Sequence, residues 1–161
     1  MASSPAEGRR EDELQIRDLA YRYARVMDAR TFGRLSEVFS EDAELAGPGY
    51  AMRGLAELGE GLKSLERFSA TLHCVHNQYT HFDPSDPDRA TGEIYCVANH
   101  IYEKEGVAFK LDMGIRYDDT YTRTPDGWRL ARRVFNMIWE QDAPLTVRPD
   151  GSPVRTGMCP E

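Results

Sequence analysis

The stretch Thr71–Tyr102 reads TLHCVHNQYTHFD, then PSDPD, then RATGEIYCVANHIY. Its two outer runs, Thr71 to Phe82 and Ala90 to Tyr102, are rich in β-branched and aromatic residues. The Pro/Asp/Ser cluster between them is a turn signal, so the stretch predicts two strands joined by a hairpin-like connection. Each strand carries a histidine near the end far from the turn, His73 and His100. Downstream, Val107–Thr122 and Trp128–Trp139 predict two more strands across the turn Thr124-Pro125-Asp126-Gly127. Upstream the pattern changes to a helical one.

From Glu11 a helix begins, with Ile16, Leu19, Ala20, Tyr23, Ala24 and Met27 forming one apolar stripe. At about 100° per residue Asp28 lies on the shoulder of that stripe. The macrodipole opposes an acid at a helix C-terminus, so helix stability does not explain it. A short second helix carries Phe32, Leu35, Val38 and Phe39; Asp42–Ala46 predicts a short strand, and Leu55–Phe68 a third helix weakened by Gly59 and Gly61. Residues 1–10 are polar and aperiodic and predict a disordered lead-in; from Ala143 a proline-rich segment predicts an extended tail.

Helices followed by long antiparallel strands indicate a single α+β domain over residues 11–142. The expectation is a cone-shaped barrel: a strongly curved, mostly antiparallel sheet wrapped on three N-terminal helices. A pocket should lie between helix one and the concave face.

A chain of 161 residues with 40% hydrophobic and 29% charged residues has the composition of a globular domain. The net charge of −7 argues against nucleic acid as partner, which needs a basic surface. No window approaches the roughly 20 apolar residues of a membrane span, and MASSPAEGRREDE lacks the apolar core of a secretory signal, so a cytoplasmic location is expected. The 3 cysteines form no closely spaced metal motif; Cys74 and Cys96, inside strand patterns, read as buried small apolar residues. The 4 histidines have no zinc spacing. His73 and His76 would point to opposite faces of a strand, and His73 and His81 would stand about 26 Å apart at roughly 3.3 Å per residue. Neither a phosphate loop, a nucleophile elbow nor a dinucleotide fingerprint occurs, so no cofactor and no metal are expected.

The run IRDLAYRYARVMDARTFGRLSEVFSEDAEL resembles the opening of the SnoaL-like, nuclear transport factor 2-like superfamily. The segments LHCVHN, ANHIYE, RYDDTY and DGWRLARR resemble its scytalone dehydratase-like and hexachlorocyclohexane dehydrochlorinase-like branch. That resemblance implies a catalytic His73 paired with Asp28, a second histidine at His100, and an arginine at Arg133, five residues after Trp128. It also exposes departures. The dehydratase asparagine falls at Tyr117, the tyrosine beside its aspartate at Met27, and the dehydrochlorinase lysine at Tyr23.

A neutral imidazole suits proton abstraction near pH 7, and an aspartate on its Nδ1–H would fix the tautomer and leave Nε2 for a substrate C–H. His100 could protonate a leaving group or polarise a carbonyl. Arg133 could hold a leaving anion, and Tyr21, Tyr23, Tyr50 and Tyr117 could line the pocket as donors. The plainer alternatives are a core histidine, a helix-end acid meeting Arg30 or Arg34, a solvated strand-end His100 and a charged outer face for Arg129, Arg132 and Arg133. Strand parity sets Arg133 with Phe135 and Met137 but Arg132 with Trp128 and Leu130, and leaves open which set faces inward. The function expected is a cofactor-independent lyase of dehydratase or elimination type on a small hydrophobic cyclic molecule. The alternatives are an isomerase or polyketide cyclase using the same residues, or a non-catalytic small-molecule-binding protein. The resemblance also implies a homo-oligomer, a dimer or trimer, formed through the open sheet face.

Overall fold

The computed structural model describes residues 5–145. Helix α1 spans Pro5–Ala29, followed by a 3-10 helix at Phe32–Glu37, strands β1 (Phe39–Gly47) and β2 (Tyr50–Arg53), helix α2 (Gly54–Leu62) and a second 3-10 helix at Lys63–Arg67. Strands β3 (Ala70–Phe82), β4 (Arg89–Lys104), β5 (Val107–Thr124) and β6 (Gly127–Pro144) complete the order. The six strands form one sheet in the order β2-β1-β6-β5-β4-β3, all neighbours antiparallel except β1 with β6. Its edges, β2 and β3, do not pair with each other, so the expected barrel is an open mixed sheet.

α1 begins six residues before Glu11, which corrects most of the expected lead-in. Residues 5–10 carry no apolar period, so spacing does not mark these turns as helical. The Asp12 carboxylate accepts from Trp128 Nε1 at 3.0 Å and from Arg123 at 2.7 Å, and Arg9 stacks over the Phe82 ring at 4.1 Å. Proline also suits a first helical position, where its missing N–H costs nothing. The predicted tail beyond Leu145 lies outside the described residues. Strand β2 was not foreseen: four residues beside a Gly-Pro-Gly turn carry no period of their own.

The stripe of α1 is buried as predicted, with Ile16 and Met27 fully enclosed on the concave face of the sheet. The helix then ends in a closed turn. Arg30 N–H donates to Met27 O and Thr31 N–H to Val26 O, with Arg30 left-handed at φ 55°. This is the hydrogen-bond pattern of a Schellman cap, in which glycine usually takes the left-handed position. An arginine there costs about 1 kcal/mol of backbone strain.

Bulges settle the parity question. Between Tyr121↔Leu130 and Thr120↔Arg132 one extra residue, Ala131, enters β6. Trp128 and Leu130 before it, and Arg133 and Phe135 after it, therefore face the same way. A second bulge, between Val75 and Gln78 of β3, keeps His73 and Gln78 on one face. Such bulges bend the strand that carries them, and so shape the concave side.

Candidate functional site

Register brings the polar residues of the concave face together. Thr71 pairs with His100 and His73 with Ala98, one step along. Leu111 lies beside His100, Asp119 beside Gly92 and Arg133 beside Asp119.

Asp28 reaches from the last turn of α1 onto β3. Its Oδ1 lies 2.6 Å from His73 Nδ1 and accepts from Thr71 Oγ at 3.0 Å, while Oδ2 accepts the His73 backbone N–H at 2.9 Å. These donors answer the cost of an acid at a helix C-terminus. A carboxylate only accepts, so the neutral His73 ring carries its proton on Nδ1 and a lone pair on Nε2. The His73 side chain is 5% exposed. Tyr23 meets it edge-on, 6.1 Å between ring centroids, and His100 stands 6.0 Å away on the other side.

His100 is 4% exposed and packs against Phe68 at 4.6 Å. Its Nδ1 faces the Leu111 carbonyl at 3.4 Å, an acceptor that again places the proton on Nδ1. Burial, with the nearby His73 adding to it, pulls its pKa below the ordinary value. The surroundings therefore favour a neutral ring offering a lone pair at Nε2. Protonating a leaving group or polarising a carbonyl, the roles expected of His100, would need a proton on Nε2.

Arg133 is turned inward and 1% exposed, but it is not free to clamp an anion. It forms a two-point pair with Asp119, at 2.8 and 2.7 Å, and its guanidinium lies 4.2 Å from both the Tyr23 and the Tyr117 ring centroids. Burial opposes its charge and the Asp119 carboxylate more than restores it. Asp119 also accepts from Tyr121 Oη at 2.9 Å. Arg132 points outward to Glu44 at 3.1 Å. Tyr23 and Tyr117 are buried side by side, 5.8 Å apart, and burial raises both hydroxyl pKa values while Arg133 pulls each back.

Two of the expected tyrosines stay outside this cluster. Tyr21 is 51% exposed, on the solvent side of α1. Tyr50 lies over Gly47 across the β1–β2 turn, partly exposed at the rim. Tyr23, Tyr117, Ile115 and Arg133 are buried between α1 and the sheet. A cleft of about 300 Å³ is lined by Arg67, Phe68, Tyr102, Glu103 and Leu111. Phe68 and Leu111 are also the residues that touch His100.

Sequence reasoning missed Thr71, Phe68 and Asp119. Thr71 was accessible by parity, two residues before His73 on the same face. Asp119 shares parity with Tyr117 and Tyr121, but nothing local marks it as the partner of Arg133, 14 residues away. Cys96 is buried as expected, its thiol pushed up to about 12 by burial. Cys74 is half-buried on the opposite face, its Sγ towards Asn99. Among the described residues no three His, Cys, Asp or Glu side chains gather as a metal set, and no helix is long and apolar enough to cross a membrane.

The SnoaL-like domain family matches residues 8–134. An uncharacterised protein of Mycobacterium tuberculosis is 31% identical over 137 residues, which cover 81% of this chain and 88% of the relative. A Kribbella flavida protein of known structure superposes with a TM-score of 0.75 at 25% identity, covering 82% of this chain and 94% of that one. A provisionally named scytalone dehydratase from Novosphingobium aromaticivorans gives 0.74 at 21% identity, with 89% and 93% covered. A hexachlorocyclohexane dehydrochlorinase gives 0.73 at 19% identity, with 86% and 91% covered. At such identities the two enzymes attest the fold alone. By the extent of the domain match, this chain belongs to the SnoaL-like domain family.

Proposed function

We propose that this protein is a cofactor-independent lyase, of dehydratase or related elimination type, acting on a small hydrophobic cyclic compound that carries a hydroxyl or carbonyl. The observation that carries the reading is the Asp28–His73 contact. A carboxylate held by three donors, one of them the imidazole it orients, is the arrangement a general base requires.

His73 Nε2 takes the proton from an acidic C–H. The electron pair forms the new double bond, and the leaving group departs with a proton from the imidazolium or from a buried tyrosine hydroxyl. Asp28 stabilises the imidazolium while it lasts. His100, kept neutral by burial, accepts a hydrogen bond from a substrate hydroxyl, and Tyr23 or Tyr117 is the donor to a carbonyl. Arg133, locked to Asp119, contributes its field through the two tyrosine rings and not by touching a leaving anion. The elimination reading is an analogy with two neighbours of the same fold, one named as a dehydratase and one as a dehydrochlorinase.

The test is a panel of cyclic β-hydroxy ketones, scored by mass for loss of water. His73→Ala should abolish any turnover and leave the melting temperature nearly unchanged. Products of unchanged mass would move the assignment to an isomerase or cyclase. Loss of stability in His73→Ala, with no turnover in the parent, would move it to binding. We further propose self-association through the outer sheet face, where Leu72, Tyr79, Tyr95 and Trp139 stand exposed.

A further inference from the structure

We propose that Arg30 is a positioning residue that sets both histidines of the site at once. The inference rests on the reading of Asp28–His73 as the working pair, and deepens it.

The guanidinium of Arg30 donates only to backbone carbonyls. Its Nη1 reaches Asp28 O at 3.0 Å, and its Nη2 reaches Phe68 O at 2.8 Å and Leu65 O at 3.4 Å. Among the described residues it has no carboxylate partner. One of these carbonyls belongs to the residue that orients His73. Another belongs to the residue whose ring packs on His100. The third lies in the 3-10 turn that leads into β3. A planar fork of N–H donors can bridge carbonyls from two segments, as an ammonium on a flexible stem does far less well.

The backbone supplies a second, independent observation. Arg30 sits left-handed at the helix cap, a position where glycine would be unstrained. A strained long side chain at the edge of a candidate site points to a task for that side chain. The task visible here is to fix the end of α1 to the entrance of β3. The Asp28–His73 contact, at 2.6 Å, crosses that same junction. Phe68 and Asp28 are 40 residues apart in sequence, and the Arg30 fork holds both carbonyls.

Two variants separate positioning from folding. Arg30→Gly relieves the cap and removes the fork; Arg30→Asn tolerates the left-handed backbone and is too short to reach Phe68 or Leu65. Each is read by circular dichroism, by cooperative melting, and by the imidazole Nδ1 proton resonance of His73 and its exchange with water. No substrate is needed. The expected result is a folded, cooperatively melting variant in which the His73 Nδ1 proton exchanges faster by at least about tenfold, because the junction opens more often. Unchanged exchange in either folded variant would overturn the proposal. Failure of both to fold would overturn it as well, since Arg30 would then be a requirement of the fold and not a device of the site. Turnover by His73 variants tests the lyase reading separately.

Discussion

Replacing Asp28 with asparagine tests the site by reversing one hydrogen bond. In the native site Oδ2 accepts from the His73 backbone N–H, while Oδ1 accepts from His73 Nδ1 and Thr71 Oγ. The backbone N–H can only donate, so the asparagine carbonyl must take the Oδ2 position. Its amide NH₂ then faces His73 Nδ1, which must become an acceptor, while the Thr71 hydroxyl can turn to accept. The proton of the neutral ring moves to Nε2, where the base should be. A base in the wrong tautomer loses about 10⁴ in kcat in a serine protease triad, equivalent to about 5 kcal/mol of transition-state stabilisation. Stability should change far less, by about 1 kcal/mol, because the backbone bond and the packing survive. Nitrogen-15 long-range spectra of the imidazoles at neutral pH report the tautomer directly, and turnover reports the consequence. Asp28→Asn with the His73 proton still on Nδ1, or with turnover within tenfold of the parent, would refute the reasoning.

Asp119→Ala should destabilise by about 3–5 kcal/mol, since it leaves Arg133 charged and buried without its partner; that is roughly 6–20 °C in melting temperature. The double change Asp119→Leu with Arg133→Met should recover most of the loss, and a single variant that melts with the parent would count against the pair. Burial holds the folded-state pKa of His100 below its ordinary 6.5, so below that value the unfolded chain binds more protons. This contribution to stability should be complete above about pH 6.5 and be lost as the pH falls through the folded-state pKa. Denaturant midpoints of His100→Gln should accordingly decline less steeply between pH 7.5 and 5 than those of the parent. Trp139→Glu places a charge where the indole lies over Gly114 on the outer sheet face. In sedimentation experiments the parent should self-associate and the variant should not; a monomeric parent at micromolar concentration would end that proposal.

The sequence by itself determined the elements whose period is strong. The α1 stripe, the four long strands and the Thr124–Gly127 turn were legible because one buried face per element imposes a regular spacing. His73, His100 and Asp28 were legible too, by chemistry and by resemblance to the SnoaL-like pattern. Short or polar pieces were not: β2 has four residues, and the turns of α1 before Glu11 have no apolar face, with Arg9 stacked over the Phe82 ring.

Tertiary structure alone decided what depends on register. One bulge residue, Ala131, turns Arg133 inward and leaves Arg132 outside, because a single insertion reverses strand parity beyond it. Asp119 became the partner of Arg133 only when β5 and β6 paired, and this pairing converted an expected anion clamp into a closed internal pair. Thr71 meets Asp28 and Phe68 meets His100 through contacts between segments that no local pattern links. Tyr21 left it because the exposed side of a helix is fixed by what the helix packs against, and spacing within the helix names only the candidates.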